Sequence, residues 1–429
     1  MPTYRTQTFG CKVNQYETRE IEELLERAGC TAAADGQSAD LVIVNTCVVT
    51  SEASRQCRQA IRRLRRENPL ARLIVTGCYA ASPERAEVEA ADAAALVVAD
   101  KAALLRRLAE DLALPAADGA TLGGISRFAG HTRAFVKIQS GCDQFCSYCI
   151  IPHVRGRPWS RPSDEVVEEV RRLTATGHRE IVLTGIHLGR YGRDRGDDAA
   201  ALVRLVERLI RIEGLGRIRL SSIEIGEVGD ELPALMAAHG DRLCAHLHVP
   251  LQSGDDAVLR AMRRPYGAAE FLDRVGRIRL ALPQVALTTD VIVGFPGESE
   301  AAFENSCRLC REAGFSRLHV FPYSPRSGTP AAAMAEQVPA ESRRRRSAAL
   351  RGLGHRLACE FARGLIGRTV TVLVETVGRD ASGRPAAEGF DEHYVRTRVA
   401  PSGISVPARG DLVAARVCAA DRGAAVARA

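Results

Sequence analysis

Long apolar stretches are missing from this sequence: no run among its 429 residues approaches the roughly 20 needed to span a bilayer. Its opening, Met1 to Gly10, lacks the apolar core of a secretory signal, so the protein is expected to stay in the cytoplasm, where it is made. Internal repeats and long low-complexity segments are also absent, apart from an enrichment in alanine, which leaves ordinary globular domains. Nor is there a strong excess of one charge. The formal net charge of +7 permits an anionic partner without demanding one. Even pairing among the cysteines is lacking. They number thirteen, nothing marks the chain for export, and a disulfide framework is therefore not expected. Thiols in a reducing compartment read as metal ligands, catalytic groups or core residues.

What is present is a long alternation of strand and helix patterns, in a chain too large for one ordinary core. Residues 1–115 carry short unbroken apolar runs at Leu41–Val44, Leu73–Val75 and Ala95–Val98, as in strands buried on both faces. Between them, Ile21, Leu24, Leu25 and Ala28 repeat at helical spacing within Glu17–Cys30. This predicts a doubly wound α/β domain. Residues 113–127, rich in Ala, Gly and Pro, read as a linker. Strand patterns resume at Ala134–Ile138, Ile181–Thr184, Ile218–Ile223, Ala245–Pro250, Ala286–Val293 and Arg317–Phe321, with helical patterns between them. Six such units predict an open or partial (β/α)6 barrel, residues 128–363 including an arginine-rich helix at 338–363. From 366 to 429, short β patterns at Thr369–Glu375, Tyr394–Val399 and Asp411–Val417 predict a small β-barrel.

The most specific chemistry is in Cys142-Asp-Gln-Phe-Cys146-Ser-Tyr-Cys149, directly after the first barrel strand. Three close thiolates do not saturate a tetrahedral zinc, and no nearby histidine or cysteine obviously completes a closed site. They can hold three irons of a [4Fe–4S] cluster, leaving one iron open. A structural zinc loop or inert thiols are the alternatives. Three further cysteines, far apart in sequence, each begin a loop after a strand: Cys11 after Tyr4–Phe9, Cys47 after Leu41–Asn45, Cys78 after Leu73–Thr76. In an open parallel sheet the carboxyl ends of strands share one edge, so these thiols are expected to meet there and to suit a second such cluster. Chance burial is the alternative. Cys307 and Cys310 share a face of the helical stretch Ser299–Ala313 and read as core, while Cys30, Cys57, Cys244, Cys359 and Cys418 have no partners at ligand spacing.

Other signals are weaker. His246 and His248 lie on one side of a strand, as in metal pairs of barrel hydrolases, but hydrogen-bonded core histidines are the plainer reading. Gly294-Phe-Pro-Gly297-Glu298 lacks the lysine and serine of a phosphate loop and reads as a tight turn. Arg55, Arg58, Arg62, Arg63, Arg65 and Arg66 crowd one helix after Cys47, and Arg155, Arg157 and Arg161 follow Cys149. Among these, Arg55, Arg58, Arg62, Arg155 and Arg157 are candidates for neutralising RNA phosphates, against the alternative of a solvated face. Arg343–Arg346 reads as a solvated linker helix.

The CxxxCxxC loop with Tyr148 before its last cysteine resembles the radical S-adenosylmethionine superfamily. The words around the other three, Thr8-Phe-Gly-Cys-Lys-Val-Asn-Gln-Tyr-Glu-Thr18, Asn45-Thr-Cys-Val-Val-Thr50 and Thr76-Gly-Cys-Tyr79, resemble its methylthiotransferase branch. The likeness continues through Leu183–Gly189, Ser221–Glu224, His246–Gly254 and Thr289–Glu298, with Ile225 standing where the family commonly has proline. The tail is similar to the RNA-binding TRAM barrel. Gly-Cys-Lys-Val-Asn-Gln-Tyr-Glu-Thr and His319-Val-Phe-Pro-Tyr-Ser324 resemble the members that act on N6-threonylcarbamoyladenosine in transfer RNA.

This resemblance implies two [4Fe–4S] clusters, one on Cys11, Cys47 and Cys78 and one on Cys142, Cys146 and Cys149. It implies S-adenosylmethionine chelating the open iron of the second, and methylthiolation of carbon 2 of the adenine at position 37, next to the anticodon. Tyr148 would pack on the cofactor's adenine, and Gly185, Ser222, Glu224 and Gln252 would hold its amino, ribose and carboxylate groups. Transfer RNA, a low-potential electron donor and a sulfur donor are the implied partners. The rivals are the isopentenyladenosine enzyme, an iron–sulfur RNA-binding or electron-transfer protein without radical chemistry, and a zinc hydrolase using His246 and His248.

Overall fold

The computed structural model describes residues 1–112, 124–380, 383–400 and 407–428. Most of the expected linker, residues 113–123, lies outside the described residues. The chain divides into two compact units. The first comprises 1–126, 135–169 and 324–333, the second 127–134, 170–323 and 334–429.

In the first unit, strands β1 (Thr3–Thr8), β2 (Thr31–Ala32), β3 (Leu41–Thr46), β4 (Arg72–Gly77) and β5 (Leu96–Val97) form a sheet of order β2-β1-β3-β4-β5, every pairing parallel. Helices α1 (Lys12–Arg27), α2 (Ser51–Glu67) and α3 (Arg85–Glu89) lie between these strands, and α4 (Lys101–Asp111) follows β5. The unbroken apolar runs divide between two faces, as period two requires. Val42, Val44, Leu73 and Val75 pack with Ile61 and Leu64 of α2, whereas Ile43 and Ile74 pack with Ile21 and Leu24 of α1 and Leu104 and Leu108 of α4. Each fully buried side chain of this size contributes about 1.5–3 kcal/mol. The expected doubly wound arrangement is therefore present. Helix α1 begins at Lys12, earlier than its apolar period suggests, because its first turns bury the polar Asn14, Glu17 and Thr18 beside Val13 and Tyr16.

The first unit resumes at residue 135 within β6 (Arg133–Lys137) and continues into β7 (Gln139–Ser140), which pairs antiparallel with β8 (Trp159–Ser160). Between β7 and β8 lie the CxxxCxxC loop and the short helix α5 (Ile151–Arg155). Helix α6 (Ser163–Ala175) follows.

In the second unit, β9 (Glu180–Thr184) pairs in parallel with β10 (Arg217–Leu220), and β11 (His246–His248), β12 (Ala286–Val293) and β13 (Arg317–Pro322) form a parallel trio. Single parallel bridges, Ile218 to Leu243 and Ser222 to His248, join β10 to β11. The result is an open arc of consecutive parallel strands. Helices α7 (Ala201–Leu209), α8 (Glu231–Ala238), α9 (Asp256–Ala261), α10 (Ala268–Ala281) and α11 (Glu300–Ala313) intervene, and Cys307 and Cys310 are buried on α11 as expected. Beyond the arc comes the arginine-rich helix α12 (Ala340–Gly364). The expectation that Arg343–Arg346 is a solvated face needs correction: Arg346 is buried, its guanidinium 2.6 Å from Glu298 and 3.1 Å from Glu300. Among the described residues, no helix is long and apolar enough to cross a membrane.

The tail closes into a five-stranded barrel, β14 (Thr369–Arg379), β15 (Pro385–Phe390), β16 (Arg396–Ala400), β17 (Leu412–Asp421) and β18 (Ala424–Arg428), in the order β14-β15-β16-β18-β17. Its interior holds Val370, Val372, Val399, Val417, Ala425 and Ala427. Strands β15 and β18 escape a reading of propensity, since alanine and glycine carry little strand signal and closure of the barrel buries them.

Candidate active site

Cys11 caps α1 directly after the β1 turn, Cys47 follows β3, and Cys78 follows β4. These strands are neighbours, and their last residues stand in register, Thr8 beside Asn45 and Thr46 beside Gly77. The three cysteines thus meet at one sheet edge. Two buried asparagines fix the edge. Asn14 Nδ2 donates to the carbonyls of Phe9 at 2.7 Å and Thr46 at 3.0 Å, and Asn45 Nδ2 donates to Asn14 O at 2.9 Å. Cys78 N–H donates to Thr46 O at 3.0 Å. Gly10 has φ +96, and a Cβ there would stand 3.0 Å from Cys47 Sγ, so only glycine leaves the thiol its place.

All three are thiols, Cys47 and Cys78 buried and Cys11 exposed. Burial pushes the Cys78 thiol up to about 12; the Arg155 guanidinium opposes this, and the neighbouring Cys11 and Cys47 add to it. The Cys47 thiol is raised by the same burial and by Cys11. Three mutually repelling thiolates, two of them buried, need a strong positive centre, and a [4Fe–4S] cluster bound through three irons supplies one. The residues fit that group. Sequence reasoning missed a fourth cysteine here. Cys57, on α2, is fully buried, accepts the Cys47 N–H at 3.4 Å and lies 3.6 Å from Cys47 O. Only the helical connection from Cys47 could have signalled it.

In the second cysteine loop, Gly141 has φ +75 and a Cβ would sit 2.0 Å from Arg157 O. Cys142 N–H donates to Gly156 O at 3.2 Å and Cys149 N–H to Cys146 O at 3.0 Å, which folds the three cysteines into one tight loop. Phe145 takes φ 45, Cys146 is buried, and Tyr148 is half-buried. Three cysteines on so short a loop also fit a three-iron attachment.

Both cysteine trios belong to the first unit, and three connections tie them. Ile150, next to Cys149, packs in the apolar cluster that contains Cys57 and Cys78. Arg155 Nη1 donates to Glu17 Oε1 at 3.0 Å, and Nη2 donates to Glu17 Oε2 at 3.2 Å and to Asn14 Oδ1. The segment 324–333 bridges the rest: Arg326 Nη1 donates to Val48 O at 3.0 Å, and Ala331 N–H donates to Ser147 O at 2.8 Å. A cavity of about 670 Å³ is bordered by Cys78, Ser140, Arg155, Glu17, Lys137 and Trp159.

The arginines separate. Arg62 and Arg157 are exposed. Arg55 is exposed and paired with Glu52 at 2.5 Å, and Arg58 reaches Glu87 at 2.5 Å and the Tyr79 hydroxyl. Arg155 is a correction. Its side chain is 8% exposed and is spent on Glu17 and Asn14, so it is an internal clamp and not a phosphate contact.

In the second unit, Gly185 and Ser222 follow β9 and β10, and Gln252, with φ 67, follows β11 and donates its N–H to Asp290 O at 2.9 Å. Glu224 is paired with Arg264, which leaves its carboxylate partly committed. His246 Nε2 and His248 Nδ1 both bond the Thr288 hydroxyl, at 3.0 and 2.9 Å, so these two rings share a hydrogen-bond partner and do not converge on a metal. Gly294–Glu298 is a tight turn: Glu298 accepts the Gly294 N–H at 2.6 Å.

Residues 136–310 match the radical SAM superfamily, and residues 3–99 match a family described as uncharacterized protein family UPF0004. A solved structure, the radical S-adenosylmethionine methyltransferase TsrM from Kitasatospora setae, shares the fold with a TM-score of 0.55 at 16% identity, over 77% of each chain. The fold and the cysteine loop define a radical S-adenosylmethionine enzyme. The chain is 39% identical to the threonylcarbamoyladenosine tRNA methylthiotransferase MtaB of Bacillus subtilis, over 92% of this chain and 90% of that one. It is 35% identical to a tRNA-2-methylthio-N(6)-dimethylallyladenosine synthase of Erythrobacter litoralis, over 88% and 87%. The chain belongs to the radical S-adenosylmethionine methylthiotransferase family.

Proposed function

We propose that this enzyme methylthiolates carbon 2 of N6-threonylcarbamoyladenosine at position 37 of transfer RNA. The observation that carries the reading is the joining of two cysteine trios in one unit, in a chain whose relatives include that enzyme. When bound, S-adenosylmethionine and the two [4Fe–4S] clusters supply the adenosyl radical, the sulfur and the methyl group.

The chain's own residues position and shield. Cys11, Cys47 and Cys78 are held by Asn14 and Asn45, and Cys142, Cys146 and Cys149 by the Gly141 turn. Arg155 and the segment around Arg326 keep the two loops in fixed register, which a transfer between them requires. Tyr148, Gly185, Ser222 and Gln252 are assigned to the cofactor, and Glu224 to it through the carboxylate oxygen that Arg264 does not take. Arg55, Arg58, Arg62 and Arg157 are assigned to RNA phosphates. The functional division is 1–115 for the first cluster, 128–363 for a partial (β/α)6 barrel, and 366–429 for a TRAM-like barrel that grips RNA. Work in the cytoplasm, with a low-potential electron donor and a sulfur donor, completes the reading.

The test is nucleoside mass spectrometry of transfer RNA from cells that lack their own methylthiotransferases and express this chain. The methylthio group is expected on N6-threonylcarbamoyladenosine. Its appearance on isopentenyladenosine instead would move the assignment to the sister enzyme, and absence of reductive 5′-deoxyadenosine formation in the purified protein would remove the radical reading.

A further inference from the structure

Strands β11, β12 and β13 place three ligand-type side chains together that the cysteine chemistry does not use. Register sets His248 beside Thr288 and Asp290 beside His319, so His248, Asp290 and His319 come from three adjacent strands. His248 Nε2 is 3.3 Å from Asp290 Oδ1, and His319 Nδ1 is 3.5 Å from the same oxygen. One ligand atom from each residue lies within 4.8 Å of the other two, and all three residues are half-buried.

We propose that His248, Asp290 and His319 bind a divalent transition-metal ion of the zinc, iron(II) or manganese class. The lengths, long for the hydrogen bonds that His248 and His319 could make to Asp290, favour an ion-bridged trio. An N–H···O bond runs about 2.7–3.2 Å, and both nitrogen–oxygen separations exceed that. Donor atoms around a tetrahedral ion with bonds of about 2.0–2.2 Å stand roughly 3.3–3.6 Å apart, and both nitrogen–oxygen separations fall in that range, while the two nitrogens lie within 4.8 Å of each other.

Thr288 supplies the outer support that metal-bound histidine requires. Its hydroxyl lies 2.9 Å from His248 Nδ1 and 3.0 Å from His246 Nε2. In one of the two arrangements the rings allow, the hydroxyl donates to His246 and accepts from His248 Nδ1–H, and the His248 Nε2 lone pair then faces the Asp290 carboxylate. In that arrangement two acceptors face each other, and a cation between them satisfies both. The donor set contains two imidazole nitrogens and one carboxylate oxygen, with no thiolate. It therefore selects an ion of intermediate hardness, and three protein ligands leave further positions open for an oxygen donor.

The test uses the anaerobically reconstituted holoprotein, cleared of loose metal by a chelator and titrated with zinc. Zinc, iron and sulfide are counted by elemental and chemical analysis. Wild type is expected to take one zinc beyond its iron. His319→Ala and Asp290→Asn are expected to bind that zinc at least tenfold more weakly with iron and sulfide unchanged, and His246→Ala to keep it. Equal zinc uptake by wild type and both variants would place the metal on thiols and overturn the proposal. So would no uptake by wild type. His319 stands on a partly exposed strand face, which makes misfolding of its variant a minor concern, and a melting curve beside each titration checks it.

Discussion

Arg155 closes on Glu17 through both terminal nitrogens, at 3.0 and 3.2 Å, and so joins the helix behind Cys149 to the helix behind Cys11. Burial alone would favour a neutral Glu17, but Lys137 and Arg155 outweigh it and hold the carboxyl well below its usual range. Both side chains are about nine-tenths buried, so neither charge has water to fall back on.

Arg155→Ala is therefore expected to cost about 3 kcal/mol, the lower end for orphaning one member of a buried pair, because Lys137 stays 3.3 Å from Glu17. Urea unfolding measures this. A loss under about 1 kcal/mol, the range of exposed pairs, would show that the clamp is not a stabilising contact.

The two cysteine trios predict separable iron losses. Wild type should reconstitute with about eight irons, and replacement of Cys142, Cys146 and Cys149 by alanine should leave about four. The same change at Cys11, Cys47 and Cys78 should also leave about four. Equal, complete loss in both variants would mean that one trio does not hold metal by itself.

Gly10→Ala offers a subtler version. The new Cβ meets Cys47 Cβ at 2.9 Å, in a backbone conformation that side chains seldom adopt. Iron is expected to fall toward about four while the Cys142 loop keeps its cluster. Full iron content in this variant would show that the sheet edge has room to spare.

Asp391 gives the tail a pH dependence. Burial, and then the charge of Glu392, raise its carboxyl to about 7, although it accepts N–H bonds from His393 at 3.0 Å and Val395 at 2.9 Å. The folded pKa lies above the unfolded one, so the native state holds the proton longer. Its contribution is complete below about pH 4 and is lost as pH rises through about 7, with a slope of at most about 1.4 kcal/mol per pH unit. Asp391→Asn keeps one acceptor oxygen and should flatten the stability profile over that interval. An unchanged slope by thermal melts across it would locate the titration elsewhere.

If transfer RNA is the substrate, the exposed Arg62 and Arg157 should each carry a phosphate. Alanine at either is expected to weaken binding at all sequences and to lower the salt slope by roughly 0.7–1. Filter binding across salt concentrations reads this, and an unaltered slope would clear that arginine of phosphate contact.

The amino-acid sequence by itself determined the alternating architecture and the six cysteines, because period-two apolar runs and ligand spacings are local properties of a chain. Val42, Ile43 and Val44 could be assigned to a two-faced strand before any contact was known, and Cys142, Cys146 and Cys149 carry their geometry in their spacing. Only the tertiary structure decided which arginines face solvent. Arg155 and Arg157 are two residues apart and chemically identical, yet one is buried against Glu17 and the other exposed. Only the structure brought Cys57 to Cys47, and Asp290 and His319 to His248 in place of His246. Those pairings depend on strand register and on which helix covers which face. Register and helix packing are set by the summed burial of many side chains far apart in sequence, and no single segment encodes them.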